Sequence, residues 1–331
     1  MGTSAWLNTA ARLTAAAAVI WAVSAPASAA DKIRVAFGDI ASVESLNLLI
    51  AFERAKERGV EVEGTFFKSE DLAAQAVVGG QADVGIGTPY ALIQKVKAPI
   101  RLFYSVSNLR FYPVVNTEFY KDWKDLDGQE FAVHSRGSGT EAIMNLMQQK
   151  HGIKFSQYSY VPGAEVRAGA LMKGNVKATI VDSGALRLLK EKGGDKFKVL
   201  DMGNINATDE ALYANTAFLE KNAGAVNILV EELLKTTREL NKDPKAVVAL
   251  RAKYKLLPDL PKDLEAEVEP YFADAVEAKL YPNDGGSLDG VKSDFEFYTT
   301  SGALTGDKAS LKTEDFWTLG PVEKARATIG G

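Results

Sequence analysis

From Lys32 onward, short apolar runs alternate with amphipathic stretches of helical period, and this pattern constrains the fold more than any other feature of the chain. Ile33 to Phe37 reads as a strand that ends at Gly38. A helix is expected from about Val43 to Arg58, with Leu46, Leu49, Ile50 and Phe52 on its buried side and Ser42 as its cap. Val60 to Phe67 is the next strand, followed by a helix from Ser69 to Val78 that Gly79-Gly80 stops. Asp83 to Gly87 reads as a short buried strand, and Thr88-Pro89 opens another helix with proline where its missing N–H costs nothing. Leu102 to Val106 and Tyr112 to Asn116 are further strands. Strands alternating with helices define an α/β chain with mostly parallel sheets.

A second series of the same kind runs from Glu130 to Asn215, with a well-signalled helix from Ser138 to Lys150. After about Phe218 the chain is mostly helical. A helical tail with no core of its own must pack on an earlier one, and the economical solution returns it to the first series. The expected organisation is therefore two lobes. Residues 31–111 and 216–331 form the first and residues 112–215 the second, with crossings near Tyr112 and Leu212. Residues 1–30 stand apart: Arg12 is their sole charge, Leu13 to Val23 is almost wholly apolar, and Ala27-Ser28-Ala29 suits signal peptidase. They predict a cleaved export signal and a soluble mature chain of about 300 residues, enough for two domains. The chain has no cysteine, which removes disulfides, thiolate metal sites and a lipid-modified cysteine. Its formal charge of −4, with lysines scattered among acids, gives no support to nucleic-acid binding.

Candidate binding positions collect where strands end and helices begin, because ligands of open α/β sheets gather at that edge. The sharpest is Arg136-Gly137-Ser138-Gly139-Thr140-Glu141. Ser138 with Glu141 forms a capping box, and the exposed N–H groups of such a turn suit carboxylate, sulfonate or phosphate oxygens. Glu141 already occupies part of that field, so a densely charged anion fits poorly. Arg136 either supplies a bidentate contact or faces solvent. Thr88 and Tyr90 repeat the logic on the other lobe, as does the loop Gly38-Asp39-Ile40-Ala41-Ser42. Asp182-Ser183 occupies the matching place on the second lobe, where Asp182 either holds a ligand amine or hydroxyl or caps a helix. Catalytic constellations are thin. His134 and His151 lack metal-ligand spacing and read as structural, no phosphate loop or dinucleotide fingerprint occurs, and no serine sits in a nucleophile elbow. No cofactor is expected.

Several stretches, in order, resemble type II periplasmic solute-binding proteins of ABC transporters, of the nitrate/sulfonate/taurine (NMT1-like) family. They include Ala76 to Thr88, the Trp123 to Gly128 turn, Gly137 to Glu141, Ala170 to Ala178, Ala214 to Leu219 and the ending from Phe316 to Gly330. The resemblance implies a periplasmic, monomeric receptor that closes two lobes on a small organic anion or zwitterion and presents it to an inner-membrane permease, without catalysis. It also implies a ligand set of Asp39, Ile40, Thr88, Pro89, Ser138 to Thr140, Asp182, Ser183 and the segment at Asp209 and Glu210. The Gly-Ser-Gly-Thr-Glu run also resembles TAXI-type receptors of TRAP transporters, but their glycine- and tyrosine-rich segment is missing from Gly38 to Glu44. An exported hydrolase ranks lower still. Asp39, Asp182 and Glu210 favour a zwitterion or a hydroxylated organic acid over nitrate.

Overall fold

The computed structural model describes residues 31–330, and the expected export signal lies outside the described residues. The first sheet has the order β2-β1-β3-β10-β4, built from β1 (Asp31–Phe37), β2 (Val60–Phe66), β3 (Val84–Gly87), β4 (Ile100–Asn108) and β10 (Thr208–Asn215). The second has the order β7-β6-β8-β5-β9, built from β5 (Tyr112–Asn116), β6 (Glu130–Val133), β7 (Gln157–Tyr160), β8 (Ala178–Val181) and β9 (Phe197–Val199). In each sheet one strand runs against the rest, β10 in the first and β5 in the second. The central strands β3 and β8 are buried at every residue, as strands covered on both faces must be, and Thr179, the single polar residue among them, donates its hydroxyl to the Ala132 carbonyl.

Helices cover both sheets. Those of the first series are α1 (Leu46–Glu57), α2 (Glu70–Val78) and α3 (Tyr90–Val96), and those of the second are α4 (Gly139–His151), α5 (Ala164–Met172) and α6 (Ser183–Gly193). The tail continues through α7 (Thr216–Lys221), α8 (Ala223–Lys242), α9 (Ala246–Tyr254), α10 (Lys262–Glu265), α11 (Val268–Glu277), α12 (Leu288–Thr300), α13 (Thr313–Phe316) and α14 (Gly320–Ile329). Val226, Leu229, Val230, Leu233 and Leu234 give α8 a continuous apolar stripe, which packs with α1 and α14 over the first sheet. The tail therefore does return to the first lobe's core. Among the described residues no helix is long and apolar enough to cross a membrane.

The return crossing differs from the expected one. Residues 208–215 do not close the second lobe; β10 is hydrogen-bonded between β3 and β4, so the chain crosses back between Val199 and Thr208. The apolar run around Leu212 carries no mark of the sheet it joins, and pairing partners decide that. Tyr213 of β10 lies across Gly85 of β3, where a Cβ would stand 2.2 Å from the tyrosine ring, so glycine is required there.

Candidate functional site

Two of the expected helix caps form as the residues dictate. Ser138 Oγ accepts from the Glu141 N–H at the head of α4, and Glu141 reaches back to the Gly137 N–H at 2.6 Å. Asp182 caps α6 by accepting from the Ala185 N–H at 2.7 Å. Thr88 is a correction. The helix begins at Tyr90 with Pro89 as its cap, and the Thr88 hydroxyl is buried against Tyr298, whose O–H donates to it at 3.0 Å. Tyr90 is a second correction: it is 1% exposed in the first lobe's core, donates to Asp294 Oδ2 at 2.6 Å and accepts from Trp317 Nε1 at 2.7 Å. These partners come from α12 and from the chain after α13, more than two hundred residues away, which local patterning cannot reveal.

The lobes face each other across three adjoining recesses. The middle one, about 380 Å³, brings together Asp39, Ser138, Gly139, Thr140, Asp209 and Glu210 from the expected set, and also holds Glu44, Glu70, Phe111, His134 and Arg167. A recess of about 430 Å³ adjoins it at Glu44 and holds Glu165, Asp182 and Tyr271. Another of about 670 Å³ adjoins it at Glu70 and holds Thr88, Pro89, Arg136 and Tyr213. Arg136 itself is exposed, with its guanidinium over the Tyr160 ring at 5.7 Å. Ser183 borders none of the three, and Ile40 packs against Gly163 of the second lobe.

Burial and mutual repulsion hold Glu44, Glu70, Glu165, Asp182, Asp209 and Glu210 above the ordinary carboxylate range. Glu44 is pushed well up by desolvation and then by Glu210, Asp182 and Asp39. Desolvation also raises Glu210, with Asp209 and Asp39 adding to it. Glu70 rises to about 8 and Glu165 to about 7, burial leading in both. Burial lowers the His134 pKa despite Asp39 beside it, and His134 Nε2 lies 3.0 Å from the Gly38 carbonyl across the cleft. Arg167 is 2% exposed, and its Nε and Nη1 donate to the Ile180 and Val161 carbonyls. Sequence reasoning missed Glu44, Glu70, Arg167 and His134 as cleft residues.

Residues 54–247 match the NMT1/THI5-like family model, and the chain belongs to that family. A search of curated proteins finds no match. Among solved structures, a protein from Bordetella bronchiseptica is 23% identical with a TM-score of 0.74, covering 91% of this chain and 98% of that one. The periplasmic nitrate-binding protein NrtA from Synechocystis is 15% identical with a TM-score of 0.66, covering 90% and 89%. The alkanesulfonate-binding protein SsuA from Xanthomonas axonopodis, bound to MOPS, is 16% identical with a TM-score of 0.64, covering 86% and 98%. At these identities the likeness defines the fold, that of the type II periplasmic binding proteins: two helix-flanked α/β lobes around a cleft.

Proposed function

We propose that this chain is the exported receptor of an ABC-type importer, which captures a small organic solute between its lobes and hands it to an inner-membrane permease. The observation that carries the reading is convergence. The loop after β1, the segments after β3 and β6, and the cap of α6 arrive from two separate sheets at one cleft, in a chain of the NMT1/THI5-like family. Capture requires no chemistry. A solute that touches both lobes favours the closed arrangement by its differential affinity, and the permease reads closure. Export to the periplasm follows from the leader read in residues 1–30, and a single chain suffices for the task.

Small-angle scattering and thermal melting across a library of amines, amino acids, sulfonates and carboxylates test this reading. A bound solute should raise the melting temperature and shrink the radius of gyration together. If no compound in the library does both, the receptor reading fails.

A further inference from the structure

Resting on that receptor reading, we propose that the cleft takes a small organic cation with N–H donors, an alkylammonium or guanidinium compound, held by carboxylates of both lobes. Four observations support it.

First, the backbone at strand ends and helix starts that would seat an anion already lies against the chain's own carboxyl groups. Asp209 Oδ1 lies against Gly139 at the head of α4, where a Cβ would stand 2.7 Å from it. Glu70 Oε2 accepts from the Thr88 N–H at 3.3 Å, and Asp182 accepts at the head of α6. A second anion at any of these places would meet a carboxyl group already seated there in place of the free N–H groups that make helix starts attractive.

Second, the acids outnumber the cations that face them. Asp39, Glu44, Glu70, Asp182, Asp209 and Glu210 line the recesses, and against them stand Arg167 and His134, with Arg136 at the rim. Among the described residues no lysine lines any of the three. Arg167 has two of its donors committed to backbone carbonyls.

Third, Tyr271 is 6% exposed and borders the recess of Glu44 and Asp182, and its hydroxyl, near that of Tyr281, makes no hydrogen bond of good geometry. A buried hydroxyl without a partner is costly, and here it offers an N–H donor an acceptor beside two carboxylates.

Fourth, among the described residues no three His, Cys, Asp or Glu side chains converge closely enough to hold a metal ion. The negative charge is spread over adjoining recesses, which suits an extended organic cation better than a point charge. Because the acceptors are carboxylates and a hydroxyl, a compound with N–H groups satisfies them and a quaternary ammonium does not.

Calorimetric titration of the purified protein with 1,4-diaminobutane, agmatine, choline, taurine and methanesulfonate at fixed ionic strength tests the inference. At least one of the two amines should bind, choline should bind more weakly, and methanesulfonate should not bind. Glu44→Gln and Glu210→Gln should each weaken the amine about tenfold or more, while the ligand-free variants melt at or above the parent temperature. That melting behaviour separates a lost contact from a lost fold. An exposed carboxylate, Asp289→Asn, should leave the affinity unchanged. Binding of taurine or methanesulfonate with no binding of either amine would overturn the cation while leaving the receptor standing. Amine binding that both glutamine variants leave intact would also overturn it. If none of the five compounds binds, the inference fails, and the library screen then decides the receptor reading by itself.

Discussion

Glu70 shows how one residue of the cleft couples to the stability of the whole chain. It sits at the start of α2, faces Glu210, Asp39 and Asp71, and takes one compensating bond from the Thr88 N–H. A carboxyl group whose pKa is raised on folding binds more protons folded than unfolded, so stability is lost as pH climbs from the ordinary value of 4.5 to about 8. Glu165, raised to about 7 beside Asp182, Asp39 and Arg167, acts in the same sense over a narrower window. Ligand-free protein should therefore melt several degrees lower near pH 9 than near pH 6. Glu70→Gln should narrow that gap, and a gap unchanged in the variant would refute the assignment. Burial also raises Asp294, to about 6, but this fully buried carboxyl group has its partners in place: Tyr90 O–H at 2.6 Å and the Thr208 N–H at 2.7 Å. Asp294→Ala strands both donors and should cost on the order of 2–4 kcal/mol in chemical denaturation. Asp294→Asn, which keeps one acceptor, should cost less.

At the scale of elements, the caps and the central strands make separable contributions. Ser138→Ala removes the acceptor at the head of α4 and should destabilise the chain by about 1 kcal/mol. The contact between β3 and β10 is less forgiving. Gly85→Ala drives a methyl group into the Tyr213 ring and should cost roughly 1–3 kcal/mol through displaced packing. Tyr213→Phe removes a buried hydroxyl that has no partner and should be neutral or slightly stabilising in the same denaturation series. The Ser138 and Asp182 caps were legible because a cap needs only residues within one helical turn. Thr88 looked the same on paper, yet Tyr298 of α12 claims its hydroxyl. Its true environment is two hundred residues distant in the chain, beyond any local signal.

At the scale of the molecule, the lobes touch through a few polar contacts beside the cleft. Arg187 of α6 pairs with Asp274 of α11 at 3.1 Å and with Glu267, joining the second lobe to the helical tail. His134 meets the Gly38 carbonyl, and Ser135 Oγ accepts from the Glu70 N–H at 3.5 Å. Arg187→Ala should loosen this arrangement. The ligand-free radius of gyration should grow, and solute affinity should fall several-fold because binding must then supply more of the closure. An unchanged scattering profile and unchanged affinity would show that Arg187 contributes nothing to closure.

The sequence by itself determined the α/β class, the two series of strands and helices, and the helical tail returned to the first core. Each follows from short-range periodicity and from the need to bury an apolar stripe, as on α8. It also determined which turns could face a cleft, since strand ends and helix starts are local. The tertiary structure alone decided that β10 completes the first sheet, because backbone pairing takes any apolar strand of the right length. It also decided which carboxylates meet. Glu44, Glu70, Asp182, Asp209 and Glu210 are scattered over more than a hundred and sixty residues, and local pattern pointed to a cleft for the last three but not for Glu44 and Glu70. The pairing of β10 in the first sheet brings Asp209 and Glu210 to Glu44 and Glu70, and Asp182 meets them from the second lobe.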